Sequence, residues 1–572
     1  MAFQLSPGVL VQEKDLTQIV PSVATSAGAF AGAFQWGPVN QVTTVDTENN
    51  LVTYFGGPTD TTYQSFFSAA NFLAYGNNLK LVRVVNEGVA KNAVANVANA
   101  SATALLIRNN DDYLSNWSSG GYNRGEFAAK YPGTLGNSLK VVIADGNTWT
   151  NTWTYASQFT SAPNTSSYVG GVGGRNDEMH VLVIDEEGLW TGTQNSILEK
   201  FGFVSKASDA KNVNGASNYY KDVINTGSQY VWVLDPPTAN ISGTSNWNSS
   251  GSNKTFANLS SIYSGSFNNG VSADDTANIV AGNIINGYNY FLNDAAYDIS
   301  LIVSGPWSNS SVVSQLVSIA ETRQDAMVFL SPQSTDVVNV TSTQQPTNVT
   351  TYRNSTISVN SSYAVMDSGW KYQYDRYNDK YRWVPLNPDV AGLCVRTDQT
   401  NDPWFSPAGY SRGQIKNVIK LAYNPTKTDR DTLYQAGINP VVTIPGQGTV
   451  LFGDKTMLAK PSAFDRINVR RLFIALEKAI GTASKFQLFE LNDSFTQAQF
   501  RNLVEPFLRD VQGRRGITDF KVVCDATNNT PDVIDANQFR ADIYVKPARS
   551  INYITLTFVA ARSGISFQEI GA

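Results

Sequence analysis

The side chains of this 572-residue chain most able to do chemistry are one histidine, His180, two cysteines, Cys394 and Cys524, and several runs of adjacent acids. A protease triad needs a histidine base held between an aspartate and a nucleophilic serine. His180 instead sits in a strand-like run ahead of the apolar segments that would build such a site, so it reads as an ordinary strand residue. Asp111 with Asp112, the run 185–187, and Asp274 with Asp275 could in principle cleave a glycan. Catalytic carboxylates, however, face each other across the bond at about 5–10 Å, which sequence neighbours rarely do. Solvated turn acids are the expected outcome. Residues 448–456, GTVLFGDKT, approach a phosphate loop but place Asp454 between the glycine and the lysine, where a carboxylate repels the phosphates that backbone N–H groups should cradle. VGGVGG at 169–174 lacks the preceding strand and the spacing of a dinucleotide site. No His pair, Cys pair or calcium-loop spacing offers a metal site. The expectation is a protein with no catalytic residues, metal or cofactor.

Charge points the same way. The formal net charge is −5, but residues 380–572 hold 24 Lys+Arg against 18 Asp+Glu, leaving 18 against 29 for residues 1–379. Nucleic-acid affinity rests on many phosphate contacts from a clustered basic face, which this balance does not favour. At this length several cores are required, and at least three domains are expected. No apolar run reaches transmembrane length, and MAFQLSPGV has neither a basic nor an apolar leader region. The expectation is a soluble chain made in the cytoplasm, without membrane insertion. Both cysteines lie in apolar, strand-like patterns and read as buried thiols.

The elements follow from periodicity. Residues 464–481, FDRINVRRLFIALEKAIG, place Val469, Leu472, Phe473, Leu476, Ala479 and Ile480 on one side of a helix, with Gly481 as its stop. A second helix opens at Ser494 with Gln497 completing a capping box, is started or kinked in its later half by Pro506, and ends at Gly513. Alternating runs at 517–524, 539–545 and 551–558 read as half-buried strands, and ISFQEIG, after Gly564, as a last strand seeking a partner. At the other end, residues 5–13 read as a strand-like arm. Residues 25–39 alternate Phe and Trp with Ala, 66–76 have helical spacing and 79–85 read as a strand, together a small α/β unit. From 93 to 200 the chain turns Asn-, Ser-, Thr- and Gly-rich with short strands. Within 229–331, QYVWVLD, YDISLIVSG and DAMVFLSP are continuous apolar runs, the pattern of parallel strands buried on both faces. Residues 335–362 read as a polar loop or edge hairpin, and 370–386 as a hairpin with one wet face.

Several motifs carry a family resemblance. LSPGVLVQE near the start, DVAGLCVRTDQTNDPWFSPAGYSRGQI, FDRINVRRLF, FELN, VVCDATNNTP, IDANQF and YVKPARSINYITLTFVA resemble, in the same order, contractile tail sheath proteins of T-even-like bacteriophages. The implied class is α/β and α+β multidomain. An arm, 1–20, would join 386–572 in an inner α+β domain; 21–96 and 201–385 would form a subtilisin-like α/β middle lacking catalytic residues; 97–200 would be a β-rich protruding domain. The implied function is a structural subunit that stacks as six-membered rings around a tail tube and shortens to drive the tube through the host envelope. Implied partners are further copies of itself, the tube, baseplate and tail terminator proteins, with no nucleic acid; the implied place is the virion tail, assembled in the host cytoplasm. The arms, marked by Leu5, Val9, Val11, Ile565 and Phe567, would add strands to neighbouring subunits. On the helix at 464–481, Arg470, Arg471 and Lys478 around Ile474 would form a tube-facing patch. A tail-associated carbohydrate-binding or glycan-cleaving protein is the alternative.

Overall fold

A computed structural model describes residues 20, 24–95, 105–119, 125–237, 240–241, 245–274 and 278–552. Two compact units emerge. The larger takes residues 24–400 and 407–465; the smaller takes Val20, Asn401–Ser406 and the chain from Arg466 onward. Residues 386–400 and 407–465 were expected in the inner C-terminal domain, and they fold instead with the larger unit.

The larger unit holds a seven-stranded sheet in the order Ile438–Asn439, Ala364–Asp367, Met327–Leu330, Leu301–Val303, Gly28–Gly32, Leu79–Arg83, Val42–Val45. All neighbours are parallel except the last pair. Continuous apolar runs such as MVFL suit it because both faces are covered. The near-bare strand Gly28–Gly32 allows close cover on each side. A Cβ on Gly28 would lie 2.5 Å from the Phe72 ring of the helix Tyr63–Leu73, while a Cβ on Gly287, in the helix Ala281–Asn289, would approach Ala31 to 3.0 Å. Helices therefore flank this strand on both faces, a mixed α/β architecture.

A second seven-stranded sheet runs Ser196–Ser205, Glu178–Asp185, Leu139–Asp145, Tyr263–Asn268, Val94–Ala95, Phe127–Ala129, Val231–Val233. Its pairings are antiparallel. This corrects two expectations. The β-rich region does not end at 200, because the ladder draws strands from as far as Asn268, and the VWV run of QYVWVLD pairs antiparallel rather than extending the parallel sheet. Chain entry and exit meet where Lys91 and Val271 exchange both backbone hydrogen bonds, each at 3.0 Å.

Other local expectations also change. The segment 335–362 carries the helices Ser334–Val337 and Gln345–Thr351 and a π-helical turn, Tyr352–Ile357, so it is neither loop nor hairpin. Cys394 lies in the helix Asn387–Thr400, buried but not in a strand. The hairpin at 370–386 forms, pairing Trp370–Asp375 with Lys380–Pro385. In the smaller unit, the helix Ile467–Ser484 runs through Gly481, and the helix Ser494–Gly513 runs through Pro506 and is capped by Asp493, whose side chain accepts the Thr496 N–H at 2.8 Å. These helices pack Leu472, Leu476, Phe500, Val504 and Leu508 against the antiparallel hairpin Ile517–Val523/Asp542–Pro547.

Among the described residues, two ion pairs in the larger unit are enclosed, Lys206–Asp145 and Lys371–Asp389. Lys371 Nζ lies 2.8 Å from Asp389 Oδ1, which also accepts the Tyr75 hydroxyl at 3.1 Å, and both charged side chains are at most 1% exposed. Removing one partner of such a pair strands the other charge. Asp389→Asn is expected to lower the free energy of the first urea transition by about 3–5 kcal/mol, and Lys371→Met with Asp389→Leu to recover most of it. A loss below about 1 kcal/mol for the single variant would show the pair to be idle.

Candidate assembly interface

The residues singled out for catalysis are occupied structurally. His180 is buried with its ring stacked on Phe159 at 3.9 Å; Nδ1 accepts the Phe203 N–H and Nε2 lies 2.9 Å from the Ser161 carbonyl. Burial pushes its pKa below the ordinary range. Asp185 accepts from the Ser138 hydroxyl and from the Trp190 and Thr191 N–H groups, while Asp112 binds Arg108, so both acids hold loops and turns. The phosphate-loop look-alike opens with a strand, Gly448–Leu451, paired to Val441–Ile444. Beyond it Asp454 is buried beside the Tyr434 hydroxyl, and Lys455 donates to the Tyr434 carbonyl at 2.7 Å. No metal-binding group of acids, histidines or cysteines occurs among the described residues.

The four residues expected to face a tube are not a wet stripe. Arg470, Arg471 and Ile474 are 7%, 4% and 4% exposed, whereas Lys478 is half-buried. The helix is covered beyond its apolar stripe, with Asn468, Arg470 and Arg471 buried as well, so Ile474 is enclosed instead of standing among solvated charges. The arm residues Leu5, Val9, Val11, Ile565 and Phe567 lie outside the described residues.

The smaller unit offers other surfaces. Between its two long helices and at the start of the second, Phe486, Leu488, Phe489, Leu491 and Phe495 are all at least 63% exposed, and Phe489 is fully so. Phe489 also has φ 71°, a left-handed conformation costly for a bulky residue. Burying such side chains fully is worth roughly 1.5–3 kcal/mol each, of which this segment collects little among the described residues. Nearby, the hairpin Ile517–Val523/Asp542–Pro547 is two-stranded, with an outer edge on each strand unpaired among the described residues and Tyr544 60% exposed. Trp404, from the DPW motif, braces this unit: its indole N–H donates to the Arg514 carbonyl at 3.0 Å, the Arg514 guanidinium lies 5.2 Å from its ring centroid, and Arg514 pairs with Asp402.

Comparison with known proteins gives the family. Residues 25–84 match the tail sheath protein Gp18 domain III N-terminal region, 277–457 the phage tail sheath protein central domain and 459–561 the phage tail sheath C-terminal domain. The chain is 35% identical over 652 aligned residues to the tail sheath protein of Enterobacteria phage T4, covering 99% of each, and 34% identical over 682 to that of Vibrio phage KVP40, again covering 99% of each. This chain belongs to the phage tail sheath family.

Among solved structures, the sheath tail protein from Desulfitobacterium hafniense shares the fold with a TM-score of 0.52 at 12% identity, covering 94% of this chain and all of that one. Membership makes this chain a structural subunit of a contractile tail sheath, a component of the virion tail that assembles with further copies of itself. The matched stretches flank residues 85–276, which contain the antiparallel sheet.

In a sheath subunit, exposed apolar groups are expected where copies meet. Sequence reasoning passed over Phe486, Leu488, Leu491 and Phe495, although one signal was present: KFQLFELNDSF is apolar but fits neither helical nor strict alternating spacing. The surface assignment predicts that Phe489→Ser with Leu491→Ser changes the unfolding free energy of the unpolymerised subunit by no more than about 0.5 kcal/mol. A loss of about 2 kcal/mol or more would show the two side chains to be packed.

Proposed function

We propose that the subunit stacks as six-membered rings around a tail tube, shortens to drive the tube through the host envelope, and performs this work without catalysis. The observation that carries the reading is the full-length similarity to tail sheath proteins, joined to a C-terminal unit with an exposed apolar loop and a hairpin whose edges are unpaired among the described residues. Subunits held in a strained lattice release free energy when their interfaces are exchanged for better ones, so no nucleotide or cofactor is required. In this proposal the arms, residues 5–13 and 565–570, add strands to neighbouring subunits, and main-chain hydrogen bonds keep rings connected while bodies move. Among the described residues the hairpin Ile517–Val523/Asp542–Pro547 has outer edges open to such an exchange, and the loop around Phe489 supplies apolar contact area.

The parallel sheet supports a subtilisin-like central domain emptied of its chemistry. The antiparallel module, bounded at Lys91 and Val271, is the outward-protruding domain, wider than the 97–200 expected from composition. For the tube contact, only Lys478 of the four expected residues retains exposure, so charge-based holding falls to it and to neighbours outside that patch. An exposed pair contributes about 0–1 kcal/mol, which suits contacts that are later released. Baseplate and tail terminator proteins bound the two ends of the polymer, and assembly takes place in the host cytoplasm.

Deleting residues 564–572 tests the arms. The truncated subunit should remain folded by circular dichroism yet form no hollow cylinders in electron micrographs, whereas the full chain forms them. Normal cylinders from the truncation would overturn the strand-exchange proposal; a full chain that stays monomeric and cleaves glycans would return the carbohydrate alternative.

A further inference from the structure

Apart from these assembly surfaces, the larger unit contains a cavity of about 420 Å³ between the π-helical turn Tyr352–Ile357, the residues after it, and the segment 455–465. Arg353, Lys455 and Lys460 line it, against Asp465 as the one acid among the lining residues. Arg353 is only 6% exposed. Its Nη2 donates to the Met457 carbonyl at 2.8 Å, and its Nε is buried with no hydrogen-bond partner. No carboxylate pairs with this guanidinium among the described residues, and burial alone draws its pKa down. A desolvated cation with an unmet donor is costly, and one carbonyl returns only part of that cost.

The backbone around it is equally unusual. A π turn places residues off the regular helical ladder and is frequent at functional sites. Here it ends at Ser358, a non-glycine residue in the left-handed region with φ 45°. Across the cavity, Lys455 is anchored by its bond to the Tyr434 carbonyl and sits 4.2 Å from the centroid of that ring, so its charge stays at the wall. Lys460 is exposed at the rim.

We propose that this cavity is an oxyanion-binding site, with Arg353 as its buried anchor and Lys460 as its outer cation, that takes a carboxylate or phosphate group. A guanidinium presents directed N–H donors suited to either group, and entry of an anion neutralises a charge that the fold otherwise leaves unpaired. Two sources share this chemistry: an Asp or Glu side chain of a second copy of the chain in the assembled sheath, or free phosphate.

The test uses the full-length subunit as wild type, Arg353→Met and Lys460→Ala. Melting is measured before polymerisation in inorganic phosphate against chloride at equal ionic strength, and polymer yield by sedimentation. If the source is free phosphate, the wild-type Tm rises by about 2 °C near saturation, and the rise disappears in Arg353→Met and shrinks in Lys460→Ala. If the source is a neighbouring subunit, phosphate leaves Tm unchanged, but both variants, still folded, lose polymer yield by about tenfold. In chloride Arg353→Met should melt no lower than wild type, because it removes an unpaired buried charge. Should that variant fail to fold, Lys460→Ala at the exposed rim still gives both readouts. A phosphate effect that is absent or equal in all folded proteins, with polymer yield unchanged, would overturn the site and leave an adventitious ion only.

Discussion

The guanidinium of Arg83 is the tie on which the larger unit depends. It is fully buried at the end of the strand Leu79–Arg83 and donates to the carbonyls of Phe34 at 2.7 Å and of Gly37 and Pro132 at 2.8 Å each. Burial pulls its pKa down to about 10, so it enters the interior still charged at neutral pH. A cation in that position needs its partners preformed, because each unmet donor would carry a desolvation penalty. The carbonyls come from the parallel sheet's first segment and from the opening of the antiparallel module, so one side chain seats the second sheet on the first. The turn that delivers Pro132 depends on Gly133, at φ 150°, where a Cβ would come within 2.7 Å of the Gln35 carbonyl oxygen.

The same economy governs the other enclosed charges. Lys206 is paired with Asp145 at 2.9 Å with both side chains inaccessible, and Lys371 with Asp389 in the same manner. Polar groups that might have resembled catalytic machinery instead hold strands and turns together, which is appropriate for a subunit whose task is to keep its shape while its contacts change. Buried pairs resist such rearrangement because separating them exposes uncompensated charge to a low dielectric. The larger unit thus keeps these charges satisfied internally, whereas other surfaces collect little energy among the described residues.

Those surfaces concentrate in the smaller unit. A two-stranded hairpin is marginal alone and gains from added strands. Here it is supported on one side by helices and Trp404, while its edges remain open among the described residues. The loop carrying Phe489 adds apolar area that is a liability in an isolated chain and an asset in a polymer.

Local pattern alone determined much of this. The alternating Phe and Ala of the first strand, the apolar runs of the parallel sheet, the amphipathic stripe from Val469 to Ile480 and the ordered sheath motifs all announced elements, fold class and family, because periodicity and turn chemistry act over a few residues. His180 reads in the sequence as an ordinary strand residue, and its ring is held by strand and loop backbone; Asp454 and Lys455 are likewise bound to Tyr434. Tertiary structure decided the rest. Gly481, expected as a stop, does not end its helix, and the helix Ser494–Gly513 runs unbroken through Pro506, because packing supplies more than propensity removes. The module boundary lies at the Lys91–Val271 pair because the strands Val231–Val233 and Tyr263–Asn268 return to a ladder begun more than a hundred residues earlier, a long-range pairing invisible to composition. Burial of Arg470, Arg471 and Ile474, and exposure of Phe489, likewise depend on what lies opposite each side chain, and a single helix or loop carries no record of its neighbours.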